Sequence, residues 1–303
     1  MSATTQDRTP TAAATPDAPP GRKNVGLKKL GGYAVLILFA VIYLYPFLIQ
    51  IATSFKSDAQ AAVNPLSLMP NPFDLSVWKR MFGLTPDSSV PVTTWLFNSV
   101  LVTVLVTAGR VFLDSLAGYA LSRLHFRGRG FLFAAVLAVM SVPGVALLVP
   151  KFLIVTYLGI YDTYTAMILP LIVDAAGIFI MKQFFDSVPI SIEEAARMDG
   201  AGVFRTFWSV VLPMARPALI TLTILSFQGS WNEFSHFLVV TQSPEHRTLI
   251  TGLASLVSGS LGAGTQYPLK MGAALLTTIP VAIIFFAFQR KFVSGGTEGG
   301  VKG

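Results

Sequence analysis

Charged residues are scarce in this 303-residue chain. Asp, Glu, Lys and Arg make up 12% of it, about half of the roughly 25% carried by a soluble domain. That shortage excludes an ordinary water-soluble surface. Cysteine is absent, which excludes disulfides and thiolate metal sites without identifying a compartment. The three histidines, His125, His236 and His246, are scattered and form no metal-ligand cluster. No GxxxxGK[ST] phosphate loop and no Ser/His/Asp constellation occurs. The glycine-rich end at 295–303 lacks the strand and helix context needed to cradle a phosphate. Catalytic, cofactor-binding and metal residues are therefore expected to be none. What the chain has instead is apolar bulk, with 53% hydrophobic residues and a mean hydropathy of +0.64.

That bulk is gathered into runs. Residues 1–29 are rich in Ala, Thr and Pro, end in Arg22, Lys23, Lys28 and Lys29, and read as a disordered tail that cannot bury enough surface to offset its ordering entropy. Leu30 to Ile51 is an uncharged run of about 22 residues, enough to cross roughly 30 Å of hydrocarbon and too long for a signal-peptide core. The first membrane helix is assigned to 30–52. A Pro-rich loop follows at 53–93, with a short amphipathic piece around Leu75 to Phe82. Five further spans are expected at about Thr94–Ala120, Phe131–Pro150, Tyr164–Phe185, Ala218–Val240 and Met271–Gln289. Residues 94–289 thus form the core of an all-α, polytopic protein with six transmembrane helices, and 290–303 form a C-terminal tail. Pro46, Pro143, Pro170 and Pro280 fall inside spans, where kinks are tolerated.

Six spans put both termini on one side. With the N-terminus in the cytoplasm, the cytoplasmic segments hold 15 Lys and Arg and the outer ones hold 6, with Arg110 inside a span. This bias supports cytoplasmic termini. It also accounts for the net charge of +7 through lipid topology, without nucleic acid.

Within the cytoplasmic loop 186–217 lies a polar stretch, Pro189 to Pro213. Ser191 and Glu194 stand in the S-x-x-E relation of a capping box, which predicts a helix start. Gly200 suits the left-handed residue that ends a helix. Ile192, Ala195 and Ala196 share one face, and Glu193 and Arg197 can pair at i, i+4 on another. Phe204, Phe207, Trp208 and Val211 form an apolar ridge leading to Leu212 and Pro213. On physical grounds this segment either rests on lipid headgroups or docks on a protein in water.

Glu194-Ala195-Ala196, three residues, Gly200, nine residues, then Val210-x-Leu212-Pro213 resembles the EAA loop of binding-protein-dependent ABC importer permeases, EAA-x3-G-x9-I-x-LP, with Val210 in place of Ile. From about Asn98 to the C-terminus the resemblance continues through Ser115 to Arg123, Pro143, Gly177-Ile178-Phe179, Gly229 to Phe234 and the ending Val301-Lys302-Gly303. These are similar to the carbohydrate-importer branch, and more narrowly to its maltose-transporter-like, MalG-type subunit. The resemblance implies the type I permease fold in a bacterial plasma (inner) membrane. It also implies a second permease subunit, two cytoplasmic ATP-binding-cassette ATPases that bind ATP and magnesium, an extracytoplasmic solute-binding protein and a sugar substrate. It makes Ser191, Glu193, Glu194, Ala195, Ala196, Arg197, Gly200, Leu212 and Pro213 the ATPase-docking residues, with Glu194 the expected key polar contact.

Ionisable groups inside spans are costly and mark functional sites by default. Arg110 and Asp114, at i, i+4, are expected to pair with each other as a structural ion pair. Asp174, Trp231, Asn232 and Glu233 have the right chemistry to bind sugar hydroxyls along a translocation pathway. The equally open alternative for Trp231 to Phe234 is that they hold helices together.

Overall fold

The computed structural model describes residues 27–85, 90–257 and 266–298. The expectations for the tail before residue 27 and for residues 299–303 fall outside this range. The chain divides into two units, residues 1–47 and 48–303. In the first, the described residues 27–47 are the greater part of α1, Leu27–Ser54. From residue 29 their side chains are exposed along the whole length, as suits a helix whose neighbour is hydrocarbon.

The second unit begins with the end of α1 and two short helices, α2 (Asp58–Val63) and α3 (Ser76–Met81). The segment 53–85 is therefore a folded cap and only partly a loop. The Lys56 ammonium is fully buried and donates to the carbonyls of Asn64 (3.0 Å) and Pro65 (3.2 Å), and burial pushes its pKa below the ordinary lysine value. Phe55 stacks between Phe73 and Trp78, with centroids 5.0 and 5.6 Å away.

The long helix α4 (Val92–Arg123) is followed by α5 (Arg129–Met140), a 3-10 turn at Gly144–Leu147 and α6 (Leu148–Tyr157). Next come α7 (Tyr164–Ile168), a 3-10 turn at Leu169–Leu171, α8 (Ala175–Ser187) and α9 (Ile190–Met198). Then follow α10 (Val203–Thr206), a π-helical turn Phe207–Val211, α11 (Leu212–Met214), α12 (Arg216–Trp231) and α13 (Ser235–Val240). The series ends with α14 (Leu249–Val257) and α15 (Tyr267–Glu298). No strand occurs among the described residues. Among the described residues, four helical stretches are long and apolar enough to cross a membrane, or six if each of two bent pairs is one span.

The bends correct two expectations. The third span is broken by 104° between α5 and α6, where Pro143 is extended (ψ 128) and has no amide proton to continue the helix. The expected fifth span, Ala218–Val240, is α12 and α13 separated at 232–234. α12 also meets the helix before it at 81°. At the other end, α15 runs past the expected limit at Gln289 to Glu298.

Around α4 the packing is set by small residues. α4 lies chiefly against α8 and α12. A Cβ on Gly118 would sit 2.8 Å from Met181 Cβ and 2.9 Å from the Lys182 amide nitrogen, and one on Gly109 would sit 3.0 Å from Ile172 Cβ. Between lipid-facing helices the hydrophobic effect gives no preference for association, so close van der Waals contact of this kind and interhelical hydrogen bonds must supply it. At the C-terminal end of α4, Tyr119, Met181, Phe185, Phe207, Val211 and Leu222 form one buried cluster. Near its N-terminal end, Trp95 packs with Val77, Met81, Trp231 and Leu249.

Candidate functional site

The helix α9 starts two residues earlier than a capping box at Ser191 allows. Pro189 is the N-cap (φ −58, ψ 131), and no side chain caps it. The ring fixes φ, and the extended ψ is that of a residue just outside the helix. Ser191 then lies inside the helix, exposed, as is Glu194, so the expected reciprocal bonds between them are not made. The other end matches the expectation. Gly200 is left-handed (φ +81), its amide donates to Arg197 O, and the Ala201 amide donates to Ala196 O, both 2.9 Å. This is the paired arrangement of a Schellman stop.

The two adjacent glutamates have opposite fates. Glu194 faces water with Ser191, Ala195, Arg197 and Met198, while Glu193 is buried and Ile192 and Ala196 are half-buried. Glu193 Oε1 lies 3.0 Å from Arg123 Nε, an ion pair by distance without the in-line geometry of a hydrogen bond. Its Oε2 accepts from Tyr119 OH at 3.3 Å and lies 3.8 Å from Arg197 Nη2. The i, i+4 pairing of Glu193 with Arg197 is thus present but subordinate. Arg123 is buried too, and its Nη2 donates to the carbonyls of Phe185 and Val188. Sequence reasoning does not single out Arg123 and Tyr119 as site residues. Their spacing of four along α4, at the end of a span, is the available signal.

Behind α9, the expected ridge divides into two faces. Phe207 and Val211 are buried, with Phe207 5.0 Å from the Tyr119 ring. Phe204 and Trp208 are exposed. Leu212 is half-buried and Pro213 exposed as α11 begins.

Inside the bundle, the expected Arg110–Asp114 pair is not formed. Arg110 Nε instead donates to Leu171 O at 2.6 Å, and Asp114 Oδ1 accepts from the Asp174 amide at 3.1 Å. Both interactions serve the chain break before α8, whose freed backbone groups need partners. Asp174 is the N-cap of α8 and accepts from the Gly177 amide at 3.2 Å. Trp231 is buried, stacks on Phe227 (5.8 Å, 7°) and donates to Thr277 O at 2.9 Å. This is the helix-joining arrangement, and it leaves no open indole face for a sugar. Glu233 accepts from the His236 amide at 2.8 Å. Asn232 is the one of the four that is exposed, with its amide on Gln228 O.

At the other end of α4 a second constellation ties the 241–249 segment down. Trp95 Nε1 donates to Pro244 O, Asn98 Nδ2 to Glu245 O and Arg247 O, and Ser99 Oγ accepts from the Leu249 amide. Asp162, at φ +57, accepts from the Gln242 and Ser243 amides and from Ser243 Oγ, and lies 3.3 Å from His246 Nδ1. Burial works against its charged form. The hydrogen bonds from Ser243 and Gln242 and the nearby His246 outweigh that and hold the Asp162 carboxyl below the usual carboxylate range.

An all-helical bundle of apolar spans, with a short, sharply terminated polar helix fixed to their ends, is the form of an importer's membrane subunit. The family described as binding-protein-dependent transport system inner membrane component matches residues 112–295. The inner membrane ABC transporter permease protein YcjP of Escherichia coli K12 is 35% identical over 279 residues, 91% of this chain and 98% of that one. The arabinooligosaccharides transport system permease protein AraQ of Halalkalibacterium halodurans is 34% identical, covering 90% and 95%. A crystal structure of a bacterial ABC transporter involved in the import of the acidic polysaccharide alginate has a similar chain, with a TM-score of 0.76, 26% identity and coverage of 90% and 99%. The chain belongs to the binding-protein-dependent transport system inner membrane component family, with the ABC importer permease fold. Its role is that of a membrane-spanning permease subunit.

Proposed function

We propose that this permease carries a sugar or oligosaccharide, forming half of a pathway completed by a second permease subunit. Two cytoplasmic ATPases supply ATP hydrolysis, and an extracytoplasmic binding protein delivers the solute. Both termini are cytoplasmic. ATP closes the ATPase pair, α9 passes the movement to the spans, and the cavity reopens outward. The relatives named for arabinooligosaccharides and for alginate support the substrate class. ATP and magnesium are held by the partner.

The observation that carries the docking role is the asymmetry of α9. Glu193 is turned in and paired, whereas Glu194, Ala195 and Met198 stand free on the outer face. An exposed carboxylate beside a small alanine suits a protein groove. An anionic leaflet would favour Lys and Arg at those positions. Glu194→Lys is expected to leave the chain inserted, abolish co-purification of the ATPase and reduce uptake at least about tenfold, the factor given by 1.4 kcal/mol. Normal uptake by that variant would sink the docking role.

A further inference from the structure

We infer that Arg123 and Glu193 form the joint through which displacement of α9 reaches the spans, with Arg123 the positioning residue. This rests on the reading of α9 as the docking helix. The covalent link from α8 to α9 is only Val188 and Pro189, both extended (ψ 129 and 131). The Val188 amide donates back to Phe185 O (3.1 Å) and Pro189 O accepts from the Ile192 amide (3.3 Å), so each residue is tied to its own helix, and the ψ rotations of the two residues set the angle between the helices. Arg123 removes that freedom. One nitrogen of its guanidinium holds the carbonyls of Phe185 and Val188 on either side of the end of α8, and Nε faces Glu193 on α9. A planar, rigid fork constrains direction as well as distance. The end of α4, the end of α8 and the body of α9 therefore move together.

α9 also packs on the π-helical turn, whose Phe207 ring lies against Tyr119 and Phe185 (5.0 and 6.4 Å). Ring contacts of this kind have no directed bond to resist sliding. Nor is stability a sufficient reason for the pair. Burying two charges is roughly neutral against an apolar replacement, and the best-attested gain from such pairs is a fixed register. Tyr119 OH donates to the second Glu193 oxygen at 3.3 Å and is a second tie between α4 and the same carboxylate.

The test uses the whole transporter in nanodiscs. The chain has no native cysteine, so Leu238→Cys on α13, an exposed position, gives this subunit one thiol. The probe is a membrane-impermeant maleimide, and the readout is the increase in labelling of that thiol when ATP, magnesium and vanadate are added. Glu193→Gln is expected to reduce the ATP-dependent increase about tenfold, more than a weakened surface contact would give. Arg123→Lys keeps the charge but cannot span all three acceptors, and is expected to reduce it severalfold. Tyr119→Phe, losing one bond, is expected to reduce it about twofold. Whichever variants accumulate decide the matter. A wild-type increase in those variants overturns the joint, as does a lowered melting temperature with an unchanged increase. Absence of any ATP-dependent labelling with the Leu238→Cys parent sinks the docking role itself.

Discussion

Single residues decide how closely this bundle can pack. Asp114 is fully buried, and a Cβ on Gly177 would lie 2.1 Å from its Oδ2. The Asp114 carboxylate is held through Oδ1 by the Asp174 amide, and Leu222 Cδ1 would lie 3.0 Å from the same Cβ, so the contact cannot yield easily. Gly177→Ala is expected to lower stability in detergent by about 1–3 kcal/mol, the usual cost of overpacking, seen as an earlier thermal midpoint with insertion unchanged. The same scale shows where sequence becomes uninformative. Glu193 and Glu194 are neighbours of the same type, and the EAA spacing directs attention to Glu194. Only the rotation of α9 against α4 makes Glu193 the buried partner, and nothing local encodes that rotation. Gly200 was legible because a left-handed stop depends on its own backbone.

At the scale of elements, hydropathy located the helices and missed their interruptions. A run of apolar residues looks continuous whether or not the chain turns within it. Pro143 was visible as a kink, but the 104° angle depends on where α6 packs. Asp174, Trp231 and Glu233 looked like pathway groups because caps and helix ties use the same polar atoms that a sugar would. The clamp on 241–249 joins residues far apart in the chain and was not legible at all. It yields a pH prediction. The folded Asp162 carboxyl titrates below its unfolded value of about 3.9. Its stabilising contribution is therefore full above that value and is lost as pH falls through the lower folded one. Amide exchange at 242–249, corrected for intrinsic rates, is expected to be level from pH 8 to 5 and to rise below about 4. Asp162→Asn is expected to show the faster exchange already at pH 7, and unchanged exchange in that variant would contradict the clamp.

For the whole molecule, the charge bias of 15 to 6 bears on orientation. The proposed topology puts the α2–α3 cap outside and the α4–α5 turn in the cytoplasm. Alkaline phosphatase fused after Leu84 is expected to be active and a fusion after Arg127 inactive, and the reverse pattern would overturn the orientation. The all-helical class and family were readable because length, hydropathy and a spaced motif are properties of the chain itself. The solute was not, since the polar groups that sequence proposes for it are largely committed to the bundle's own backbone.

Arg123 has a further consequence, for synthesis. It is translated 62 residues before Phe185, whose carbonyl it holds, and Tyr119 precedes Glu193 by 74. While the chain emerges, its guanidinium has none of these acceptors, and they arrive only after two more spans have been made. The face of α9 proposed for docking thus takes its final orientation late, once the spans from α4 to α8 have been made. A nascent or truncated chain lacking them holds α9 in no fixed orientation, so in the proposed mechanism the geometry that transmits force also delays engagement of the motor until there is something to move.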